Sequence, residues 1–100
     1  MQFRKTRFSA ADLLYEARDV MMSKAQETNI QIRVDVPNDM PLMEADRDKI
    51  KQVLLNLTSN AIKYNREGGS VTIDTETRSG WVLVRISDTG LGMDDAQLRQ

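Results

Sequence analysis

The chain has 100 residues, which is about the length of one domain and leaves room for a single modest core. Its 14 basic and 15 acidic residues give a net charge of −1, which argues against a nucleic-acid binder that works by bulk electrostatic attraction. Cysteine and histidine are both absent, so disulfides, thiolate or imidazole metal sites and Ser-His-Asp catalysis on this chain are excluded.

The apolar runs are short, as at 81–84, whereas a membrane-spanning helix needs about 20 apolar residues. The basic residues Arg4, Lys5 and Arg7 are followed by no apolar stretch, which argues against a signal peptide. We therefore predict that this segment is cytoplasmic and makes no contact with a membrane.

The first half of the chain predicts a strand, a helix and a second strand. Residues 3–8 are expected to form a short strand, and Ser9 is a suitable N-cap for an amphipathic helix over 10–26. Apolar and polar residues alternate over 30–36, which indicates a half-buried strand that ends at a proline. The residues 37–45 are expected to be a connector.

The second half predicts one long helix and a hairpin. Asp46 is a suitable cap for a helix over 47–64. The further expected elements are strands at 70–77 and 81–87 around a turn at Ser79-Gly80, a loop at 88–93, and a short helix beginning at Asp94 or Asp95. The predicted fold class is α/β (α+β): a two-layer sandwich with helices packed on one face of a mixed β-sheet.

A line of polar residues follows the helix at 47–64. Gln52, Asn56, Asn60 and Lys63, here called the polar stripe, are spaced four, four and three residues apart and share one face. Asparagine is a poor helix former, but its amide oxygen is a suitable ligand for Mg²⁺, and a lysine one turn further on can reach a phosphate. The alternative is that both asparagines are solvent-exposed or bonded to a nearby loop, with no ligand.

A glycine-containing loop follows the last strand of the hairpin. Asp88 stands at the strand end, where its carboxylate could accept a hydrogen bond from an exocyclic amine such as that of adenine. Gly90 and Gly92 would allow the backbone to approach a ligand closely. The loop is neither a dinucleotide fingerprint nor a P-loop, because a third glycine and a Gly-Lys-Ser/Thr sequence are missing. The alternative is an Asp-capped turn.

Together the two segments resemble a known family. Residues 52–64 resemble the N-box of sensor histidine kinases, and residues 88–93 resemble their G1 box. This order, with a two-strand hairpin between the boxes, is similar to that of the GHKL group of ATP-binding domains, which also includes DNA gyrase, a heat-shock chaperone and mismatch-repair proteins. The resemblance implies a domain that binds ATP with Mg²⁺.

The resemblance implies that the helix handles the phosphates. Asn60 would coordinate Mg²⁺, and Lys63 would contact phosphate. Asn56, the predicted catalytic residue, would support the metal or the γ-phosphate. In the ATPase relatives this position is a glutamate that activates water, and an amide is no general base, so transfer to an external acceptor is favoured over hydrolysis.

The resemblance also implies an adenine side. Asp88 would accept from the adenine amino group, and Gly90 and Gly92 would let the loop pass close to the base. Tyr64 would pack beside the adenine and Met93 would line the pocket, although both also suit a hydrophobic core.

The predicted function is that of the catalytic ATP-binding domain of a sensor histidine kinase, for which 1–100 would be the N-terminal part. The acceptor histidine would lie in a dimerisation domain outside this chain and pass the phosphoryl group to a response regulator. The family's second glycine box and ATP lid are expected beyond Gln100, so this chain alone could self-associate through an incomplete sheet edge. The alternatives are a pseudokinase or docking module and, less favoured, a GHKL ATPase.

Overall fold

The computed structural model describes residues 5–37, 39–88 and 93–99. Its elements, in chain order, are β1 (Lys5–Ser9), α1 (Ala10–Glu27), β2 (Gln31–Asp35), β3 (Leu42–Asp46), α2 (Arg47–Lys63), β4 (Ser70–Arg78), β5 (Trp81–Asp88) and β6 (Met93–Arg99). Within these ranges, no helix is both long enough and apolar enough to cross a membrane.

The strands form two sheets. The larger has the order β2-β4-β5-β6, in which β2 runs parallel to β4 and the other neighbours are antiparallel. The smaller joins β1 and β3 in antiparallel pairing. The mixed sheet expected from the sequence is therefore confirmed.

The core lies between the helices and one face of the larger sheet. In the first half of β4 and along β5 up to Ile86, every second side chain is buried, as a half-covered strand requires, and Ile73 lies directly opposite Ile86. The helices contribute apolar faces that include Leu13 and Leu14 from α1 and Leu54 from α2. The two-layer arrangement with helices on one face agrees with the prediction.

The side chains that precede the two helices explain where they begin. Ser9 accepts a hydrogen bond from the backbone N–H of Asp12 at 3.2 Å. Asp46 accepts one from the N–H of Lys49 at 3.3 Å. Each cap satisfies one of the N–H groups that a helix start leaves without an intrahelical partner. Both predicted caps are confirmed.

Two predicted elements are wrong. The expected connector at 37–45 contains β3, which is held by non-local pairing with β1 that puts buried Met43 opposite buried Phe8. The helix expected from Asp94 or Asp95 is instead β6, paired along β5. Both segments lack the alternation of β-branched residues that signals a strand. They are strands because β3 pairs with β1 and β6 pairs with β5, and this pairing overrides local propensity.

An ion cluster joins the two helices. Glu16 on α1 accepts hydrogen bonds from Arg47 and, at 2.7 Å, from Lys51 Nζ, both on α2. Further along, Lys24 Nζ donates to Ser59 Oγ at 3.0 Å. The N-terminal halves of the two helices thus contact each other, and so do their C-terminal halves. Helices α1 and α2 therefore run parallel across the sheet.

We expect this cluster to make stability fall in acid. The hydrogen bonds from Arg47 and Lys51 lower the pKa of Glu16 from its ordinary value of 4.5 to about 2. A lowered pKa gives stability that is fully present above the pKa of the unfolded chain and is lost as the pH falls toward 2. Urea midpoints measured from pH 6 to 2 should therefore fall less steeply in Glu16→Gln than in the wild type.

The control is Glu67→Gln, which removes the same charge from an exposed loop residue. Its pH profile should follow that of the wild type. Identical profiles for Glu16→Gln and the wild type would contradict the proposed contribution of the cluster.

Candidate functional site

Helix α2 divides into a core face and an exposed polar face. Thr58, Ala61 and Ile62 are among its buried residues. Asn56 and Asn60 are exposed, and within the described part of the chain their side chains have no hydrogen-bond partner. The two amides lie one helical turn apart, about 5–6 Å between Cβ atoms. Because both are exposed, one ligand can reach both of them.

The polar stripe continues to the end of the helix. Gln52 and Lys63 are also exposed, and Lys63 is the last residue of α2. The Lys63 Nζ lies 5.2 Å from the centroid of the Tyr64 ring, a distance that suits a cation–π contact. Tyr64 is the C-cap of the helix and is 53% exposed, so the alternative that it is a core residue is wrong.

Asp88 lies at the carboxyl end of β5. Its cross-strand partner is the buried Val71, and Ile86, two residues earlier on the same strand, is also buried. Since alternate residues of a strand share a face, half-buried Asp88 belongs to the face that the helices cover. Strand β5 packs against α2, so the acid lies on the same side of the sheet as the helix that carries the polar stripe.

The remaining predicted positions follow β5 in the sequence. Gly90 and Gly92 lie outside the described residues. Met93 is the first residue of β6, opposite Ser87 in the register, and the predicted pocket-lining role of its side chain likewise lies outside what is described.

The oxygen atoms of this site suit a metal ion that is held mainly by water and by the phosphates of a bound substrate. In the ranges 5–37 and 39–88, no group of three acidic, histidine or cysteine residues could hold an ion. Mg²⁺ is often bound by one or two protein oxygens together with water and substrate phosphates. The exposed amide oxygens of Asn56 and Asn60 fit such a role.

Two polar residues near the stripe were not identified from the sequence. Thr58 is 0% exposed, and its hydroxyl has no hydrogen-bond partner among the described residues. Asn65 bonds to the backbone on both sides of the turn that follows α2. An asparagine two residues after a helix and three residues before a glycine pair is a turn signal that could have identified Asn65.

A family model assigns these features to one class of protein. Residues 45–100 match the family described as histidine kinase-, DNA gyrase B- and HSP90-like ATPases. The chain therefore belongs to this family, as the resemblance of its two motif segments predicted.

The similar proteins are histidine kinases. The adaptive-response sensory kinase SasA of Synechococcus sp. (strain JA-3-3Ab) is 35% identical over 97% of this chain and 26% of its own length. The catalytic domain of the histidine kinase ThkA has a TM-score of 0.81 and 34% identity over 91% of this chain and 61% of that domain. The chain thus spans about a quarter of the length of SasA.

Two further structures carry bound molecules. ThkA in complex with the response regulator protein TrrA matches with a TM-score of 0.81 and 32% identity over 89% of this chain and 27% of that chain. Full-length ShkA in complex with AMPPNP matches with a TM-score of 0.83 and 28% identity over 90% of this chain and 19% of that chain. The described fold is thus that of histidine kinase catalytic domains.

Proposed function

We propose that this chain is the ATP-binding catalytic part of a sensor histidine kinase and that it presents the γ-phosphoryl group of ATP to a histidine outside these residues. The observation that carries the proposal is the polar stripe: two accessible amides and a lysine follow one exposed line of α2. The match of ShkA, whose structure contains AMPPNP, supports a nucleotide as the ligand.

Three residues of the stripe, Asn56, Asn60 and Lys63, are proposed to hold the phosphates, whereas Gln52 has no proposed role in binding. The oxygen of Asn60 would ligate Mg²⁺, and the ammonium of Lys63 would pair with a phosphate oxygen. Bound Mg-ATP supplies the transferable phosphoryl group, and the protein supplies position and charge. Asn56 would orient these groups without activating water, because a neutral amide is no general base, and this favours transfer over hydrolysis.

The adenine is proposed to lie between the end of α2 and the end of β5. Asp88 would accept a hydrogen bond from the adenine amine, and Tyr64 would place its exposed ring beside the base. Gly90 and Gly92 would allow the loop to approach the base. Because Lys63 already lies against the Tyr64 ring, the same two residues would link the base to the phosphates.

The proposed partners follow from the similar kinases. ThkA matches in a complex with a response regulator, which supports a route from ATP to a histidine on a dimerisation domain and then to a regulator. We further propose that the parent protein contributes a second glycine box and a lid beyond Gln100.

The metal role of Asn60 predicts a Mg²⁺-dependent defect. Asn60→Ala should weaken ATP binding by about tenfold when Mg²⁺ is present, a typical loss for a group that supports a metal site. The loss should be much smaller when Mg²⁺ is chelated. Isothermal titration calorimetry with ATP, with Mg²⁺ or with EDTA, measures both values.

The matched control is Gln52→Ala, which truncates another exposed amide of the same stripe. It should leave ATP binding unchanged in both conditions. An equal loss for Asn60→Ala with and without Mg²⁺ would contradict the metal role. Absence of nucleotide binding by the wild type would favour a docking module, and phosphate release without an acceptor would favour a hydrolytic ATPase.

A further inference from the structure

The turn after α2 is built around the side chain of Asn65. Its Nδ2 donates to the backbone oxygen of Ser70 at 3.0 Å, and its Oδ1 accepts from the N–H of Arg66 at 2.8 Å. Its own N–H donates to the oxygen of Ile62 at 3.2 Å. Half-buried Asn65 therefore contacts the last turn of α2 through its backbone N–H and the first residue of β4 through its side-chain amide.

The same turn is tied to the end of α1. Gly69 donates to the oxygen of Arg66 at 3.0 Å and accepts from the N–H of Gln31 at 3.2 Å. Gly68, whose φ of +79° suits glycine, donates to the oxygen of Thr28 at 3.4 Å. The turn between α2 and β4 is thus hydrogen-bonded both to the larger sheet and to the α1–β2 turn.

Lys63 and Tyr64 directly precede this anchored turn. Helix ends fray because their last carbonyl groups lack intrahelical partners. Both side chains are exposed, and their described ring contact is with each other. Their direction is therefore set by the backbone of the last turn, where Tyr64 N–H donates to Asn60 O at 3.0 Å.

We propose that Asn65 is a positioning residue for nucleotide binding: by clamping the end of α2 to β4, it aims Lys63 and Tyr64 at the ligand. This inference rests on the proposed function. It requires an amide in particular, because the clamp uses a donor and an acceptor of one planar group at the same time. Aspartate has the same shape and retains the acceptor but loses the donor to Ser70.

The test compares Asn65→Asp with Asn29→Asp in this chain. Asn29 is exposed, adopts φ 56°, and lies in the α1–β2 turn, where aspartate also tolerates a left-handed conformation. The two variants therefore make the same chemical change in neighbouring turns. We expect Asn65→Asp to weaken Mg-ATP binding about tenfold, as loss of a supporting contact does, and Asn29→Asp to leave it within about twofold. Two-dimensional NMR titration measures both.

A second arm separates positioning from general destabilisation. Asn65→Asp is repeated in a background that carries Lys63→Ala and Tyr64→Ala. If Asn65 acts through these two residues, it should cost little further affinity there, whereas a purely structural defect should lower affinity by the same factor in both backgrounds. Without nucleotide, the amides of Tyr64 and Asn65 should also exchange hydrogen faster in Asn65→Asp than in Asn29→Asp.

The possible outcomes are distinct. If the wild type binds Mg-ATP and Asn65→Asp binds it equally well, the positioning role is overturned and the proposed function stands. A full loss that persists in the double-alanine background would overturn the positioning role as well. A wild-type chain that does not bind Mg-ATP would overturn the proposed function and, with it, this role. Should Asn65→Asp not fold by circular dichroism, Asn65→Ser, which retains an acceptor near Arg66 but cannot reach Ser70, takes its place in every arm.

Discussion

Replacing Asp88 by asparagine is expected to weaken ADP binding by about 1.5–3 kcal/mol, or roughly 10- to 150-fold, the range for a hydrogen bond to a charged group. The carboxylate is acceptor-only, whereas the asparagine amide can present a donor to the adenine amine. ADP is the suitable ligand because it contains the base but not the γ-phosphate. Calorimetric titration of ADP measures the loss.

The control is Asp74→Asn. Asp74 also lies on the hairpin, but on the face opposite to the helices, where it pairs with Arg85 at 3.4 Å. Its replacement should leave ADP affinity unchanged, and neither variant should alter the helical signal in circular dichroism. Unaltered ADP affinity in Asp88→Asn would rule out the adenine contact.

Replacing Leu54 by alanine is expected to lower the free energy of unfolding by about 2–5 kcal/mol, the range for a buried leucine that leaves a cavity. Leu54 is 1% exposed and lies on the core face of α2. A domain of this size has a net stability of about 5–15 kcal/mol, so the variant should retain only a fraction of the reserve. Urea denaturation followed by circular dichroism measures the change.

The control is Leu42→Ala, at a leucine of β3 that is 59% exposed. The same truncation should cost less than about 0.5 kcal/mol there, because an exposed side chain loses little burial. If Leu54→Ala lowered the free energy of unfolding as little as Leu42→Ala is expected to, Leu54 would not be a core residue of the folded chain in solution.

The local signals in the sequence were sufficient for most of the fold. Ser9 and Asp46 mark helix starts because a capping side chain acts within three residues of itself. The hairpin of β4 and β5 follows from alternation and from Gly80, whose φ of +76° suits the turn. These features depend on neighbours along the chain, which is why they could be predicted without the fold.

The features that were missed depend on partners distant in sequence or on backbone pairing. Strand β3 exists because Met43 lies opposite Phe8, and the Glu16 cluster joins residues of two different helices. The pattern of residues within β3, or within either helix, does not encode those contacts. For the candidate site, the stripe and the exposure of its amides could be predicted, whereas the bonds of Asn65 to Ser70 and Arg66 required the folded backbone.

The parallel pairing of β2 with β4 divides the candidate site between two regions that form by different routes. Helix α2 lies in the crossover between these strands, which closes only when residues far apart in sequence meet, whereas β4 and β5 form a local hairpin. A partial opening that releases α2 from the sheet would remove Asn56 and Asn60 while Asp88 stays on the hairpin. A chain in that state would retain the proposed base-binding acid but not the residues proposed to hold the phosphates.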